Sequence, residues 1–184
     1  ILTKIKYENA LLEKSERVKY LISKYKIENS VSFGCIRKIN YNNKFYSTMY
    51  LDFIDRIDYL NRKFDFSKIE SLIELGGGFG GNIHLLVQNF KNLKKIIYVD
   101  MFPNIFVGTE YLRSHYGSSV KDYLKFCNSK EITFEKNDNL EIICIPNWAL
   151  NKVKSRVDKF HNAASFQEMT VNEIQSYFEI IFGS

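Results

Sequence analysis

Cysteine is scarce in this 184-residue chain. The three that occur, Cys35, Cys127 and Cys144, are odd in number and far apart, and no C-x-x-C pair is present. This excludes a zinc ribbon or a disulfide framework as the basis of the fold, and it implies a reducing, cytoplasmic setting. No apolar run approaches the roughly 20 residues that span a bilayer, and no signal peptide is visible. No H-x-x-x-H pair or carboxylate cluster suggests a metal site. There is no internal repeat and no low-complexity linker. The excess of positive charge is modest, +5. It is scattered in pairs such as Lys94-Lys95 and over Lys152, Lys154 and Arg156, not gathered into the stripe that a nucleic-acid binder uses. What remains is ordinary globular composition, 45% hydrophobic and 26% charged, in a chain long enough for one stable core.

Glycine, by contrast, is concentrated. Five of the nine glycines fall in Leu72-Ile73-Glu74-Leu75-Gly76-Gly77-Gly78-Phe79-Gly80-Gly81-Asn82. A short apolar run, a glycine cluster and an amphipathic stretch read as a strand, a tight turn and a helix N-terminus. Such a turn lets a ligand approach the backbone, and the helix start offers N–H donors. Gly76, Gly78 and Gly81 fit the dinucleotide pattern G-x-G-x-x-G. Glu74, Gly76, Gly78 and Gly80 equally fit E-x-G-x-G-x-G, which resembles motif I of S-adenosyl-L-methionine-dependent methyltransferases. A carboxylate just before the turn repels a pyrophosphate but suits a sulfonium and an ammonium. Glu74 therefore favours S-adenosyl-L-methionine over NAD.

Before this turn, residues 1–66 read as a helical N-terminal segment. Val18, Leu21, Ile22 and Tyr25 mark one face of a helix over Thr3 to Lys26, which Glu28-Asn29-Ser30 interrupts. Val31 to Asn43 reads as loop. Tyr50, Phe53, Ile54, Ile57 and Leu60 give the buried stripe of a second helix, and Asp65-Phe66-Ser67 ends the segment. Residues 67–184 alternate between strands and helices. Strands are expected at Ser71–Leu75, Lys95–Val99, Glu141–Ile145 and Val157–His161. Helices are expected at Asn82–Phe90, Asn104–Tyr116, Val120–Asn128 and Val171–Phe182. This alternation predicts right-handed βα units and a parallel sheet, an α/β, Rossmann-like architecture with its ligand at the carboxyl ends of the strands.

The strand ends supply the candidate site. Asp100, about 20 residues past the glycine turn, can accept both ribose hydroxyl hydrogens. Met101 can line the adenine, while Phe102 belongs there or in the core. The Asn147 amide can bond the adenine edge and Trp148, the only tryptophan, can cover its face; the other place for that indole is between sheet and helix. Asn162 lies at the cofactor's reactive end. Ser165 and Gln167 are placed to touch an acceptor, and His161 and Glu168 are the candidate general bases. His84 and His115 fall on helices as packing or surface residues.

Three blocks carry a resemblance to a known family: Ile73-Glu74-Leu75-Gly76-Gly77-Gly78-Phe79-Gly80-Gly81, Tyr98-Val99-Asp100, and Asn162-Ala163-Ala164-Ser165-Phe166-Gln167-Glu168-Met169. With these blocks the chain resembles the bacterial sugar O-methyltransferases from roughly Tyr46 onward. The third block is the most specific of the three. The resemblance implies that Glu74, Gly76, Gly77, Gly78, Gly80 and Asp100 hold S-adenosyl-L-methionine. It implies that residues 165–168 face the acceptor, and that a methyl group passes to a sugar hydroxyl in surface-polysaccharide synthesis. Such a sheet has seven strands, whereas four are read here. The chain starts at Ile1 and ends inside a helical pattern. A fragment with an incomplete sheet is therefore expected, and an unpaired edge makes a homo-oligomer a candidate partner. The rival readings are an NAD-dependent oxidoreductase or epimerase, a nucleic-acid methyltransferase and a non-catalytic cofactor-binding fragment. The nucleic-acid methyltransferase reading lacks its proline-aromatic stretch, since the place reads Asn162-Ala163-Ala164-Ser165.

Overall fold

The structure is a computed structural model describing residues 11–27 and 37–183. The expectations for residues 1–10 and 28–36, including the Glu28-Asn29-Ser30 break and Cys35, lie outside the described residues. The chain divides between Asp65 and Phe66 into two compact units.

In the first unit, helix α1 (Glu16–Lys24) starts at Ser15, whose hydroxyl accepts the Val18 N–H, and buries Val18 and Leu21. The stretch read as loop instead contains a hairpin. Strands β1 (Lys38–Tyr41) and β2 (Lys44–Ser47) pair antiparallel. Asn42 and Asn43 join them with φ of +51° and +61°, the left-handed pair that a two-residue hairpin turn requires and that asparagine tolerates. Helix α2 (Thr48–Phe64) buries Tyr50, Leu51, Ile54, Ile57 and Asp58. Phe53 and Leu60, expected in the stripe, are only half-buried. The N-terminal segment is thus helical with a hairpin inserted.

The second unit follows the strand–helix alternation. Its elements are β3 (Ser71–Leu75), α3 (Gly81–Asn89), β4 (Lys95–Asp100), α4 (Asn104–Tyr116), β5 (Val120–Lys121), α5 (Tyr123–Phe126), β6 (Glu141–Pro146), β7 (Lys159–His161) and α6 (Val171–Phe182). The strands form one parallel sheet of five in the order β5-β6-β4-β3-β7. This is an α/β fold compatible with a Rossmann-like arrangement. Every residue of β6, and all but the first of β4, is buried, as near-continuous apolar strands covered on both faces must be. Ile73, Leu75, Ile97, Val99, Ile143 and Ile145 share one core cluster, and each such buried aliphatic chain contributes about 1.5–3 kcal/mol.

Two segments differ from the sequence reading. Val120–Asn128 is not one helix. Val120 and Lys121 add a fifth strand beside β6, and Asp122 then caps α5 by accepting the Leu124 N–H at 2.8 Å. The strand expected over Val157–His161 shortens to Lys159–His161 because Asp158 is otherwise engaged. Its carboxylate accepts the Glu70 and Ser71 N–H groups, both at 2.9 Å, and ties the start of β3.

The chain leaves β3 toward β4 on one side, and β7 later pairs on the other side of β3. The strand order therefore reverses beside the carboxyl end of β3, where open α/β sheets bind ligands.

Candidate functional site

The glycine turn starts as a continuation of the sheet, with the Gly76 N–H donating to the Val99 carbonyl at 2.8 Å. Gly76 then takes φ +73° and Gly78 φ +59°, conformations that favour glycine. A side chain at Gly76 would also collide with Ser165. The bare backbone therefore lets residue 165 close against the turn. Ser165 and Asn162 meet there. The Asn162 amide donates to the Leu75 carbonyl at 3.0 Å and to the Ser165 hydroxyl at 2.5 Å. The Asn162–Met169 block is thus pinned to the end of β3 by its own polar residues.

Asp100 closes β4 under the turn and is 6% exposed. One oxygen accepts the Gly78 N–H at 2.8 Å, the other the Met101 N–H at 2.8 Å. Burial raises its pKa. The N–H groups of Met101 and Gly78 and the Asn104 amide pull it down, and the charge of Glu74 pushes it up. No cation bonds this carboxylate among the described residues; Oδ1 is met by the Met101 N–H and the Asn104 amide, while Oδ2, met by the Gly78 N–H, keeps room for a further hydrogen-bond donor.

A cleft of about 780 Å³ opens beside these groups, within the roughly 300–1,000 Å³ of small-molecule sites. One wall carries Gly76, Asp100, Met101, Asn104, Asn147 and Trp148; the other carries Ser165, Glu168 and Met169 and then α6. The side chains contributed by α6 are Glu173, Ser176, Tyr177 and Ile180. Their spacing of three and four is one helical face. The cleft is lined by three carboxylates, Asp100, Glu168 and Glu173, and among its described lining residues there is no Lys, Arg or His. That is unexpected in a chain of net charge +5.

No family model, curated protein or solved structure matches this chain. The resemblance drawn from its three sequence blocks stands on those blocks alone, and the site is read from its own atoms.

The cleft brings together Gly76, Asp100, Met101, Asn147, Trp148, Ser165 and Glu168 of the residues singled out by sequence. Trp148 is 55% exposed and stacks on Phe102 with ring centres 6.1 Å apart, so the indole stands at the cleft and not between sheet and helix. The Asn147 amide donates to the Tyr177 hydroxyl at 3.3 Å.

Other candidates lie elsewhere. Glu74 and His161 are register partners on β3 and β7, on the sheet face that also carries Tyr98, and neither lines the cleft. Glu74 is 2% exposed. Its Oε1 accepts the Asn82 amide at 2.7 Å and lies 3.1 Å from His161 Nδ1. Its Oε2 has no hydrogen-bond partner among the described residues. Glu74 is therefore a charge behind the turn, not a side chain in the cleft. Gly77 packs on the Tyr98 ring and Gly80 on Leu112. Gln167 is exposed, and neither it, Gly78 nor Asn162 lines the cleft. His84 and His115 stack at 4.0 Å behind the turn as packing groups.

Sequence reasoning missed the α6 wall. It read a helix over Val171–Phe182 but not a wall of the cleft on it, and no residue of α6 is fully buried. The signal was the polar series Glu173, Ser176 and Tyr177 on one face of that helix.

Proposed function

We propose that the chain binds S-adenosyl-L-methionine in this cleft and is a methyltransferase acting on a hydroxyl of a sugar-class acceptor. The observation that carries this reading is the charge of the cleft, three carboxylates facing no cation. A cofactor with a sulfonium and an ammonium is favoured there. A pyrophosphate is not, because the Gly78 N–H it needs already points at the Asp100 carboxylate and Glu74 lies buried behind the turn.

The donor set fits the cofactor. Asp100 accepts a ribose hydroxyl through the remaining lone pair of Oδ2. Met101 and Trp148, both more than half exposed, cover the adenine ring. Bound there, the cofactor supplies an electrophilic methyl group to the acceptor oxygen, and its C–S bond breaks to leave a neutral thioether. The protein's part is positioning and removal of the hydroxyl proton. Glu168 stands in the cleft and takes that proton. His161, beside Glu74 and outside the cleft lining, supports the turn from behind. The choice of a sugar acceptor rests on the resemblance of the Asn162–Met169 block.

Isothermal titration separates the readings. S-adenosyl-L-methionine and its demethylated product are expected to bind, and NAD is not. Binding of NAD in preference, or of neither, overturns the proposal. Transfer of a labelled methyl group to a panel of free and lipid-linked sugars then tests the acceptor class.

A further inference from the structure

Gly78 is the outermost left-handed residue of the turn, and its peptide is held at both ends from one strand. Its N–H donates to Asp100. Its carbonyl accepts a short hydrogen bond from the Tyr98 hydroxyl. Tyr98 and Asp100 are two apart on β4 and so project from the same face of the strand. The Tyr98 hydroxyl also lies 3.0 Å from the carbonyl of Asn104, the first residue of α4, whose side chain lines the cleft. One buried phenol, 0% exposed, thus links the glycine turn, the end of β4 and the start of α4.

We propose that Tyr98 is a positioning residue for the cofactor. It fixes the turn in its binding geometry before the cofactor arrives, through the Gly78 carbonyl. The inference rests on the reading of the cleft as a cofactor site, but the strut itself is independent of it. Three features of the packing support the role. The Tyr98 ring fills the space beside Gly77, where any side chain would overlap it. On its other side Gly108 of α4 leaves room for the hydroxyl, and a methyl group there would also overlap it. Burial holds the phenol firmly in its protonated, donating form. A turn with three left-handed glycines, Gly76, Gly78 and Gly80, is otherwise entropically expensive to order, so a fixed strut lowers what binding must supply.

Tyr98→Phe keeps the ring and removes the single O–H that the Gly78 and Asn104 carbonyls share. The expected result is about a tenfold rise in Kd and KM for S-adenosyl-L-methionine, with kcat and the acceptor KM within about twofold. Gly108→Ala tests the same strut from the far side. Alanine is the better helix former, yet it displaces the hydroxyl, so cofactor binding should weaken about threefold. A merely structural Tyr98 would lower the melting temperature and leave KM of the folded enzyme unchanged, which overturns the proposal. Amide exchange at Gly78 and Phe79 supplies a readout without cofactor. It should quicken about tenfold in Tyr98→Phe relative to amides of β3. If the wild type fails to bind S-adenosyl-L-methionine, the cofactor reading falls. Unchanged exchange overturns the strut whatever the wild type binds.

Discussion

Two aspartates lie buried in the two units of this chain, Asp58 at 0% and Asp100 at 6% exposure, with opposite company. Asp58, on α2, accepts from Lys24 Nζ at 2.7 Å, the Tyr25 hydroxyl at 2.7 Å and Arg17 at 2.8 Å. Burial alone would raise its pKa, but the hydrogen bonds from Lys24, Tyr25 and Arg17 outweigh it and hold the carboxyl well below the usual range. Asp100 receives only N–H groups and an amide, burial prevails, and its pKa rises. A carboxylate that the fold uses is surrounded by cations. One kept buried without a cation, at a cleft, is available to a ligand, and perturbed acids of this kind mark functional sites.

The largest expected effect breaks the first half of that comparison. Asp58→Ala leaves Lys24, Arg17 and Tyr25 facing each other without their acceptor. It should cost about 3 kcal/mol in urea denaturation, since removing one partner of a buried ion pair strands the others. The cofactor affinity of the remaining folded protein should be unaltered. A loss under about 1 kcal/mol would reduce the cluster to ordinary surface ion pairs.

Asp100→Asn reverses the pattern. Relief of the buried charge and loss of the Gly78 hydrogen bond nearly cancel, so stability should change by less than about 1 kcal/mol. Binding of S-adenosyl-L-methionine should fall by roughly 30-fold, about 2 kcal/mol, through the lost charge-assisted bond to the ribose. Titration calorimetry reads the affinity. A variant that binds as tightly as the wild type would remove Asp100 from the site. A smaller loss, about 1 kcal/mol or fivefold in affinity, is expected for Trp148→Ala. The indole is half exposed and, among the described rings, stacked on Phe102 alone, so the melting temperature should hardly move.

The same contrast explains what the sequence discloses. β4 and β6 were legible because strands covered on both faces must be apolar throughout, and Asp100 because it ends such a run. Asp58 was not legible as a buried residue. It lies one position beyond Ile57, and a charged residue enters a helix's inner face only when distant partners such as Lys24 and Arg17 arrive to meet it. The β1–β2 hairpin was hidden because Asn42-Asn43 signals any loop, and only its two positive φ angles make it a tight turn. At the site, the turn and the strand-end residue Asp100 could be read from order alone, while order left the Trp148 indole between the cleft and the sheet–helix seam. The exclusion of Glu74 from the cleft could not be read, because Glu74 shares its sheet face with Tyr98 and Asp100, and only its place at the strand end brings Asp100 to the cleft. The acidity of the cleft is a property of the assembled walls, since Asp100 and Glu173 are brought together only by folding.

The smallest expected effect, and the one that sharpens the comparison most, is in acid. An unfolded chain takes up an aspartate proton near pH 3.9. Native Asp58 resists that proton, so its contribution is complete above about pH 4 and disappears as the pH falls through its depressed native value. Native Asp100 takes the proton at a higher pH than the unfolded chain. Its ionised form is therefore a cost at neutral pH, relieved as the pH falls from its raised native value toward 4. Measured by urea denaturation between pH 4 and 7, wild type should gain on Asp100→Asn as the pH is lowered. Over the same interval the advantage of wild type over Asp58→Asn should stay constant, shrinking only below about pH 4. Were the Asp100 difference flat, its carboxylate would be titrating like one in water, and the distinction between a fold-holding and a ligand-holding aspartate would fail.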